Sequence, residues 1–486
     1  MKKKGLIVAF LALSIAASAQ DERALSFDQA LQLTLEQNPT MAASAYEERA
    51  AELEKAAAVG LRMPKINVAG GYAHLGNDMQ IDLNGYKGPI QNGVNGVLDG
   101  LGQILPGSVL GPIVSQVQGV MTPLLGANWA LTLQKQDLAF VGGTVTLPIF
   151  LGGKINAANR AARINLATAR KQGEQNRNGL VSELVERYYG LALAMQVVEV
   201  RRQVADAMKI HLKDAEALEA NGMIAKGEKL YVEVMMAEAE RELFAAEQQV
   251  ATLRSALANT MNETGEFVPV SSMFVLHALE ELSWFQTTAE QSNPLLQQVA
   301  LKRDLAKQGV NLQRSEFFPQ VAATGGGMFC NYQVTDLVPR WAVGVGVSIN
   351  IFDGTNREHK FAAAKSTVRQ VEALQTKAIS DVGVLVEKLY NQLATYQNQI
   401  ASIETSMAFA KEYLRIKNAS FKEGMASAVD VIDAELNLSK IKIERLQNAF
   451  NYDVTLSQLL EAAGISEQFA VYARSGNADH IRFDQE

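Results

Sequence analysis

The chain has 486 residues, 48% of them hydrophobic and 20% charged, with 45 basic and 52 acidic side chains. That acidic balance disfavours a nucleic-acid binder, which needs a basic face, and the single cysteine, Cys330, excludes an internal disulfide. Beyond the first apolar run no segment offers 18 consecutive apolar residues, so later membrane contact falls to β-strands or an interfacial surface.

At the N-terminus, Lys2, Lys3 and Lys4 precede the apolar run "GLIVAFLAL" and the small residues Ala17–Ala19. This order reads as a secretory signal over residues 1–19, cut before Gln20. The apolar run is shorter than the ~20 residues of a spanning anchor. No cysteine follows it to carry a lipid. Removing these three lysines leaves 42 basic side chains against 52 acidic. A secreted chain of this size without disulfides fits a bacterial envelope protein.

The eleven prolines divide the rest. Pro148 and Pro269 bound 120 residues without a proline, and 147 more follow Pro339. Because proline costs roughly 3 kcal/mol inside a helix, these two stretches are where long helices can form. Two halves of the chain also align. "EQNPTM" at Asn38–Pro39 matches "EQSNPLL" at Asn293–Pro294, and "LRMPKINVAGG" at Pro64 matches "SEFFPQVAATGG" at Pro319, both at an offset of 255. "TLPIFLGGK" matches "SINIFDGTN", and Gly222-Met223 matches Gly424-Met425, both at an offset of 202. The first half therefore carries 53 extra residues. They fall in the Gly- and Pro-rich region near residues 77–130, which reads as a long loop with at most one short apolar helix.

Each half has one plan. A helix leads to a strand beginning at proline, then a loop, a second strand ending at Phe-x-Gly, and two long helices. In "VGGTVTLPI" the residues Val141, Gly143, Val145, Leu147 and Ile149 share one face. In "AVGVGVSINI" it is Val343, Val345, Val347, Ile349 and Ile351. Period-two alternation over ~10 residues fits a half-buried strand or a tilted membrane strand. Aromatic residues gather at both strand ends, Tyr72, Phe140, Phe329, Tyr332 and Trp341 at one and Phe150, Phe317, Phe318 and Phe352 at the other. Paired girdles of this kind favour the membrane reading.

The long segments repeat apolar residues at threes and fours. Leu184, Tyr188, Leu191, Met195, Val198, Ala205 and Leu212 form one series. Leu385, Leu389, Leu393, Tyr396, Ile400, Ile403, Met407, Ala410 and Leu414 form the other. Both are coiled-coil seams. Residues 154–221 alone would make ~100 Å of helix. Gly222 and Gly424 then mark hairpin tips where the chain doubles back. Four strands cannot close a membrane barrel, and open edges cannot sit in lipid. Several copies must pool their strands, two giving eight and three giving twelve.

This pattern resembles the TolC-type outer-membrane efflux channels over nearly the whole chain after the signal. The most specific carrier is "EGMASAVDVIDAELNLSKIKIERLQNAFNYDVTLSQLLEAAG", a Gly-led tip followed by Asp-Val-x-Asp and a returning helix rich in small residues. The resemblance implies a mainly α protein with a small β part. It implies a homotrimer whose strands form a twelve-stranded barrel in the outer membrane of a Gram-negative bacterium, and whose helices form a coiled-coil tunnel in the periplasm. The segments would be the signal at 1–19, N-terminal helices at 20–63, and a first strand pair with a long extracellular loop at 64–150. The first hairpin follows at 151–262, a linker and helix of the second repeat at 263–318, and the second strand pair at 319–352. The second hairpin at 353–464 and a tail at 465–486 complete the chain. The implied function is export of small molecules with a periplasmic adaptor and an inner-membrane transporter of the RND or ABC type. An exit duct for protein secretion is the alternative, and a structural coiled-coil envelope protein is the reading from another class.

The family's aperture is lined by an acidic ring, whose matching positions here are Asp430 and Asp433. Spaced i and i+3, they share a helix face opposite Val429, Ile432 and Leu436. Crowding in a ring would raise some of their pKa values. Ser427-x-x-Asp430 also reads as a capping box, a purely local role for Asp430. Other aperture contacts would come from Glu228 and Phe421, although Phe421 and Ala426 stand where the family has a tyrosine and an arginine. The tips Gly222, Met223, Gly424 and Met425 match the family's adaptor-docking positions, and Val343, Val345, Val347, Ile349 and Ile351 would face lipid. No metal or cofactor is expected, because His74, His211, His277, His359 and His480 are dispersed without ligand spacing. No P-loop, His-Glu-x-x-His or Gly-x-Ser-x-Gly occurs, which argues against an enzyme.

Overall fold

The computed structural model describes residues 23–104 and 106–481. The signal segment expected at 1–19 and the last five residues of the tail lie outside the described residues. The elements run in chain order as β1 (Arg23–Leu25), α1 (Phe27–Gln37), α2 (Pro39–Gly60), β2 (Lys65–His74), β3 (Met79–Asp82), α3 (Lys87–Gly102), α4 (Gly107–Gly126), β4 (Ala130–Gln134) and β5 (Asp137–Leu151). The first long hairpin is α5 (Lys154–Ala220) and α6 (Lys226–Met261), followed by β6 (Phe267–Pro269) and β7 (Met273–Leu276). The second copy is α7 (Leu282–Ser292), α8 (Pro294–Ser315), β8 (Gln320–Tyr332), β9 (Trp341–Ser348), α9 (Asn356–Lys422) and α10 (Ala428–Ala463), and α11 (Gln468–Ala473) and β10 (Ala478–Ile481) close the chain.

The duplication holds to the residue. Helices α5 and α9 are each 67 residues long and α6 and α10 are each 36, at the same offset of 202 throughout. Helices α1 and α7, and α2 and α8, match in length at an offset of 255. The strand-to-helix junctions correspond too, with positive φ at Gly152 and Gly153 in one half and at Gly354 and Thr355 in the other.

The two halves also share a polar clamp, which explains why both carry Asn-Pro. Asn38 donates from its amide to the Thr260 carbonyl at 2.8 Å, and Asn293 donates to the Ala462 carbonyl at 2.7 Å. Each amide thus satisfies a carbonyl in the last turn of the returning helix, which has no partner inside its own helix. Each Asn oxygen accepts from the first turn of the helix that its proline begins, from the Thr40 and Leu296 N–H groups.

The chain divides into two compact units. Of the described residues, the first comprises 23–56, Asn159–Val310 and 362–481. Its core packs Leu184, Val185, Tyr188, Tyr189 and Leu191 of α5 against Val386, Leu389 and Leu393 of α9 and Tyr452, Leu456 and Leu460 of α10. Phe27, Phe274, Phe285 and Phe469 complete it. The parallel pair β1–β6 and the antiparallel pair β7–β10 brace it. The Tyr188 hydroxyl ties this core to β1 by donating to the Leu25 carbonyl at 2.6 Å. Most of the expected seam is buried; Leu385 is the member that stays exposed.

The second unit, Ala57–Ala158 and Asn311–Phe361, is built on a four-stranded antiparallel sheet in the order β2-β5-β8-β9. Strands β2 and β8 begin directly after Pro64 and Pro319. Pro148 lies within β5, at a place where the β2 ladder has already stopped at Thr146 and the β8 ladder shifts register, so its missing N–H breaks no regular pairing.

Two expectations are corrected here. The 77–130 insertion is not a loop with one short helix. It holds the antiparallel pair β3–β4 and two helices, α3 of 16 and α4 of 20 residues. Helix α4 persists through Pro112 and Pro123, and the signal for it was the spacing of Val114, Val117, Met121 and Leu125, its less exposed face. The strand expected over 342–351 stops at Ser348, opposite Gln320, the first residue of β8. Ile349 and Ile351 lie beyond it, because Pro319 precedes Gln320 and offers no N–H to continue the ladder. Among the described residues no helix is long and apolar enough to cross a membrane.

Candidate functional site

The two hairpin tips turn in the same way. Helix α5 ends with Gly222 at φ 73° and α9 with Gly424 at φ 70°. The Gly222 N–H donates to the Glu219 carbonyl and the Met223 N–H to Leu218, and the Gly424 N–H donates to Phe421 and the Met425 N–H to Ser420. This is the paired closure of a helix by a left-handed glycine, a conformation that costs a residue with a Cβ ~1–2 kcal/mol. It leaves Met223 and Met425 projecting, 72% and 77% exposed.

Beyond the turn the tips differ. Ala225 precedes α6 without a side-chain cap. Ser427 precedes α10 with a full capping box, its hydroxyl accepting from the Asp430 N–H at 3.2 Å while the Asp430 carboxylate accepts from the Ser427 N–H at 3.0 Å. Asp430 is also paired with Lys417 of α9 at 2.8 Å, and the Lys417 ammonium lies over the Tyr413 ring. Lys417 first, and the Ser427 hydroxyl and N–H next, hold the Asp430 carboxyl down to about 2. Within one chain the neighbour of Asp430 is thus a cation, whereas the crowding expected of a ring involves the carboxylates of other copies. The first tip closes by Lys229 of α6, which bridges Glu219 of α5 at 3.3 Å and Glu233 at 3.4 Å.

Asp433, one turn further in, is exposed and accepts from the Tyr231 hydroxyl of α6 at 3.1 Å. Burial first, and this bond next, raise the Tyr231 pKa. His211 of α5 and Glu435 of α10 meet at 3.0 Å in a half-buried pair. Ile432 and Leu436 pack between them into a cluster formed by Val204, Ala205 and Met208 of α5 and Val232 and Met236 of α6. The returning helix of the second hairpin is thus docked on the first by an apolar ridge flanked by two polar links. The buried face of α10 carries Val431 and Ala434 with Ile432, while Val429 is only partly buried.

Glu228 is half-buried in the first turn of α6, and among the described residues its side chain makes no hydrogen bond. Phe421 and Ala426 are half-buried, flanking Gly424. Sequence reasoning missed Lys417, Tyr231, His211 and Glu435. Lys417 was findable, since it stands seven residues before Gly424 and Asp430 six after it, positions that face each other across a hairpin. The Tyr231 and His211 links join segments some 200 residues apart and leave no local trace.

A model of the outer membrane efflux protein family matches residues 123–263 and 287–465. The chain belongs to this family. Outer membrane protein TolC of Vibrio cholerae is 23% identical over 351 residues, which cover 65% of this chain and 76% of that protein. The alkaline protease secretion protein AprF of Pseudomonas aeruginosa is 23% identical over 308 residues, 60% of this chain and 62% of that protein. Among solved structures, the outer membrane protein VceC of Vibrio cholerae superposes with a TM-score of 0.67 at 14% identity, covering 90% of this chain and 96% of that one. The CmeC outer membrane channel of Campylobacter jejuni gives 0.68 at 13% identity, covering 93% and 90%. These likenesses show the fold. As an outer membrane efflux protein the chain is a transport component of the outer membrane, in line with the expectation from its duplicated plan and tip motif.

Proposed function

We propose that three copies of this chain form one conduit, a twelve-stranded barrel in the outer membrane continued by a helical tunnel, which exports small molecules. The observation that carries this reading is the sheet of the second unit. It has four antiparallel strands, two unpaired edges, and one face of Val141, Val145, Val321, Val343, Val345 and Val347. Its other face is mostly small, with Ala69, Gly142, Thr144, Thr324, Gly326 and Gly344, and carries Leu138, Phe140 and Met328 toward one end. An even number of strands per copy lets copies join with antiparallel order kept, and closure removes edges that lipid cannot satisfy. The valine face meets lipid and the small face lines the pore.

In this reading the tips meet a periplasmic adaptor through Met223 and Met425, whose flexible thioether side chains suit an adaptable contact, and an inner-membrane transporter of the RND or ABC type drives export. Asp430 and Asp433 line the aperture, with Asp433 the stronger contributor because Lys417 offsets the charge of Asp430. Glu228 and Phe421 flank it. A duct for secreted protein is the second reading, favoured by the similarity to a protein named for alkaline protease secretion.

In planar bilayers the purified protein is expected to pass small cation-preferring currents that multivalent cations block from the tip side. Asp433→Ala is expected to weaken the block more than Asp430→Ala, and the double variant to abolish it with the oligomer intact. An unchanged block in the double variant would remove these residues from the aperture, and absence of any current would favour a structural coiled-coil protein.

A further inference from the structure

Among the described residues β2 pairs only with β5, and β9 only with β8, so the sheet ends in two bare edges. The interior of the sheet holds a template for joining them. Strand β5 precedes the first long helix as β9 precedes the second, at an offset of 202, and β2 and β8 follow their prolines at an offset of 255. The β5–β8 junction joins the end of one repeat to the start of the other within a chain. The β9 edge and the β2 edge are the same two elements, with the repeats exchanged.

We infer that β9 of one copy pairs with β2 of the next in the register that β5 already keeps with β8. Thr146 lies opposite Thr324, which places Ser348 opposite Ala69 of the next copy. The same step puts Ile349 opposite Val68, and Asp353 opposite Lys65, as Leu147 stands opposite Ala323 and Leu151 opposite Gln320. This deepens the threefold conduit proposed above and rests on it.

Two observations that played no part in the alignment agree with it. The first is the parity of faces. Val345 and Val347 fall opposite Tyr72 and Gly70, which belong with Ile66 and Val68 to the face that carries Val141 and Val145 within the chain. A slip of one residue would instead set every valine against the pore face. The second is charge. The Asp353 side chain is largely buried, with Oδ2 facing Arg357 of its own chain at 3.4 Å and Oδ1 without a hydrogen-bond partner among the described residues, while Lys65 is exposed and makes no ion pair among them. The register brings this carboxylate and this ammonium together.

The pairing also accounts for residues 349–352. In the first half the corresponding segment is strand, because β5 runs to Leu151 against β8. In the second half no strand among the described residues reaches it. The Arg357 guanidinium stands in for the missing ladder, donating to the Asn350 carbonyl at 2.6 Å and to Ile351 at 3.1 Å. Its counterpart in the first half is Ile155, where the ladder is complete. Ile351 corresponds to Ile149, the residue skipped at the β5 register shift.

Cysteine pairs in a Cys330→Ser background test the register. Thr146→Cys with Thr324→Cys is the same pair within one chain and sets the yield that this geometry allows. Ser348→Cys with Ala69→Cys is expected to match that yield and to shift the band on a non-reducing denaturing gel from monomer to covalent trimer. Pairing Ser348→Cys with Gly71→Cys or Asn67→Cys is expected to fail, because a two-residue slip sets the Cα atoms ~7–8 Å apart, beyond a disulfide. Better cross-linking by either slipped pair overturns the register while leaving the trimer standing; a monomer by mass in detergent overturns both. Lys65→Met is expected to lower the heat resistance of the trimer in the parent chain and to change it less in an Asp353→Asn background, which leaves Arg357 in place. An equal loss in both backgrounds also overturns the register.

Discussion

At the end of its returning helix each half must turn back beside an Asn-Pro step, and the two halves do so with different residues. In the first half Asn262 takes the left-handed conformation at φ 52° and spans the gap, its amide donating to the Gln37 carbonyl at 3.3 Å. In the second half Gly464, at φ 76°, comes so near the equivalent Ser292 that a Cβ would sit 2.4 Å from the Ser292 oxygen. One duplicated turn thus exists in a loose form that keeps a side chain and a tight form that forbids one. The difference shows that matched helix lengths do not imply matched packing. The second half is the more closely built at this end.

That comparison is broken most sharply at Gly464. Gly464→Ala places a methyl group against backbone and in a left-handed conformation, at a cost of ~2–4 kcal/mol. Asn262→Ala loses one exposed hydrogen bond and incurs only the left-handed penalty, ~1–2 kcal/mol. Thermal unfolding of both variants checks this, and equal losses would show that the tight approach relaxes freely.

Deeper in the second half lies Asp453, fully buried in α10, where the first half has Ala251. Its Oδ2 accepts from the Phe274 N–H at 3.3 Å and its Oδ1 has no partner. Burial pushes its pKa well above the ordinary carboxylate value, so the folded chain keeps it protonated. The unfolded chain releases that proton near pH ~4. The contribution to stability is therefore complete below that pH and declines as pH rises toward the folded value. Asp453→Asn keeps the acceptor and removes the titration. The parent is expected to lose more thermal stability than the variant between about pH 5 and about pH 8. Parallel profiles would mean that Asp453 does not hold its proton.

Much of this architecture was legible in the chain because proline and periodicity act locally. The two proline-free stretches, the Gly-Met turns and the strand starts after Pro64 and Pro319 each rest on neighbouring residues. What was not legible rests on distant ones. The end of β9 depends on where β8 begins, and the Tyr231 partner of Asp433 depends on which helices the fold sets side by side. Asp430 is the instructive case. Its capping role was visible at Ser427, three residues away, whereas Lys417, which lowers its pKa within one chain, reaches it from the other arm of the hairpin.

The finest test of the comparison exchanges the starts of the returning helices. The first tip reads Ala225-x-x-Glu228 and the second Ser427-x-x-Asp430, so the first already holds the acid of a capping box and lacks only the hydroxyl. Ala225 sits in the extended conformation that a capping serine adopts, with φ −76° and ψ 149° against −80° and 161° at Ser427. Ala225→Ser is therefore expected to complete the box with Glu228 and to stabilise the first tip by ~0.5–1 kcal/mol, while Ser427→Ala destabilises the second by ~1 kcal/mol. Amide hydrogen exchange reads local opening at a helix end, so in the first turns of α6 and α10 it resolves the effect better than global unfolding does. Slower exchange at Glu228 in the serine variant, and faster exchange at Asp430 in the alanine variant, would place the contrast between the tips in one hydroxyl. If Ser427→Ala leaves exchange unchanged, the Lys417–Asp430 pair is what holds the second tip, and the two tips differ in their ion pairs instead of their caps.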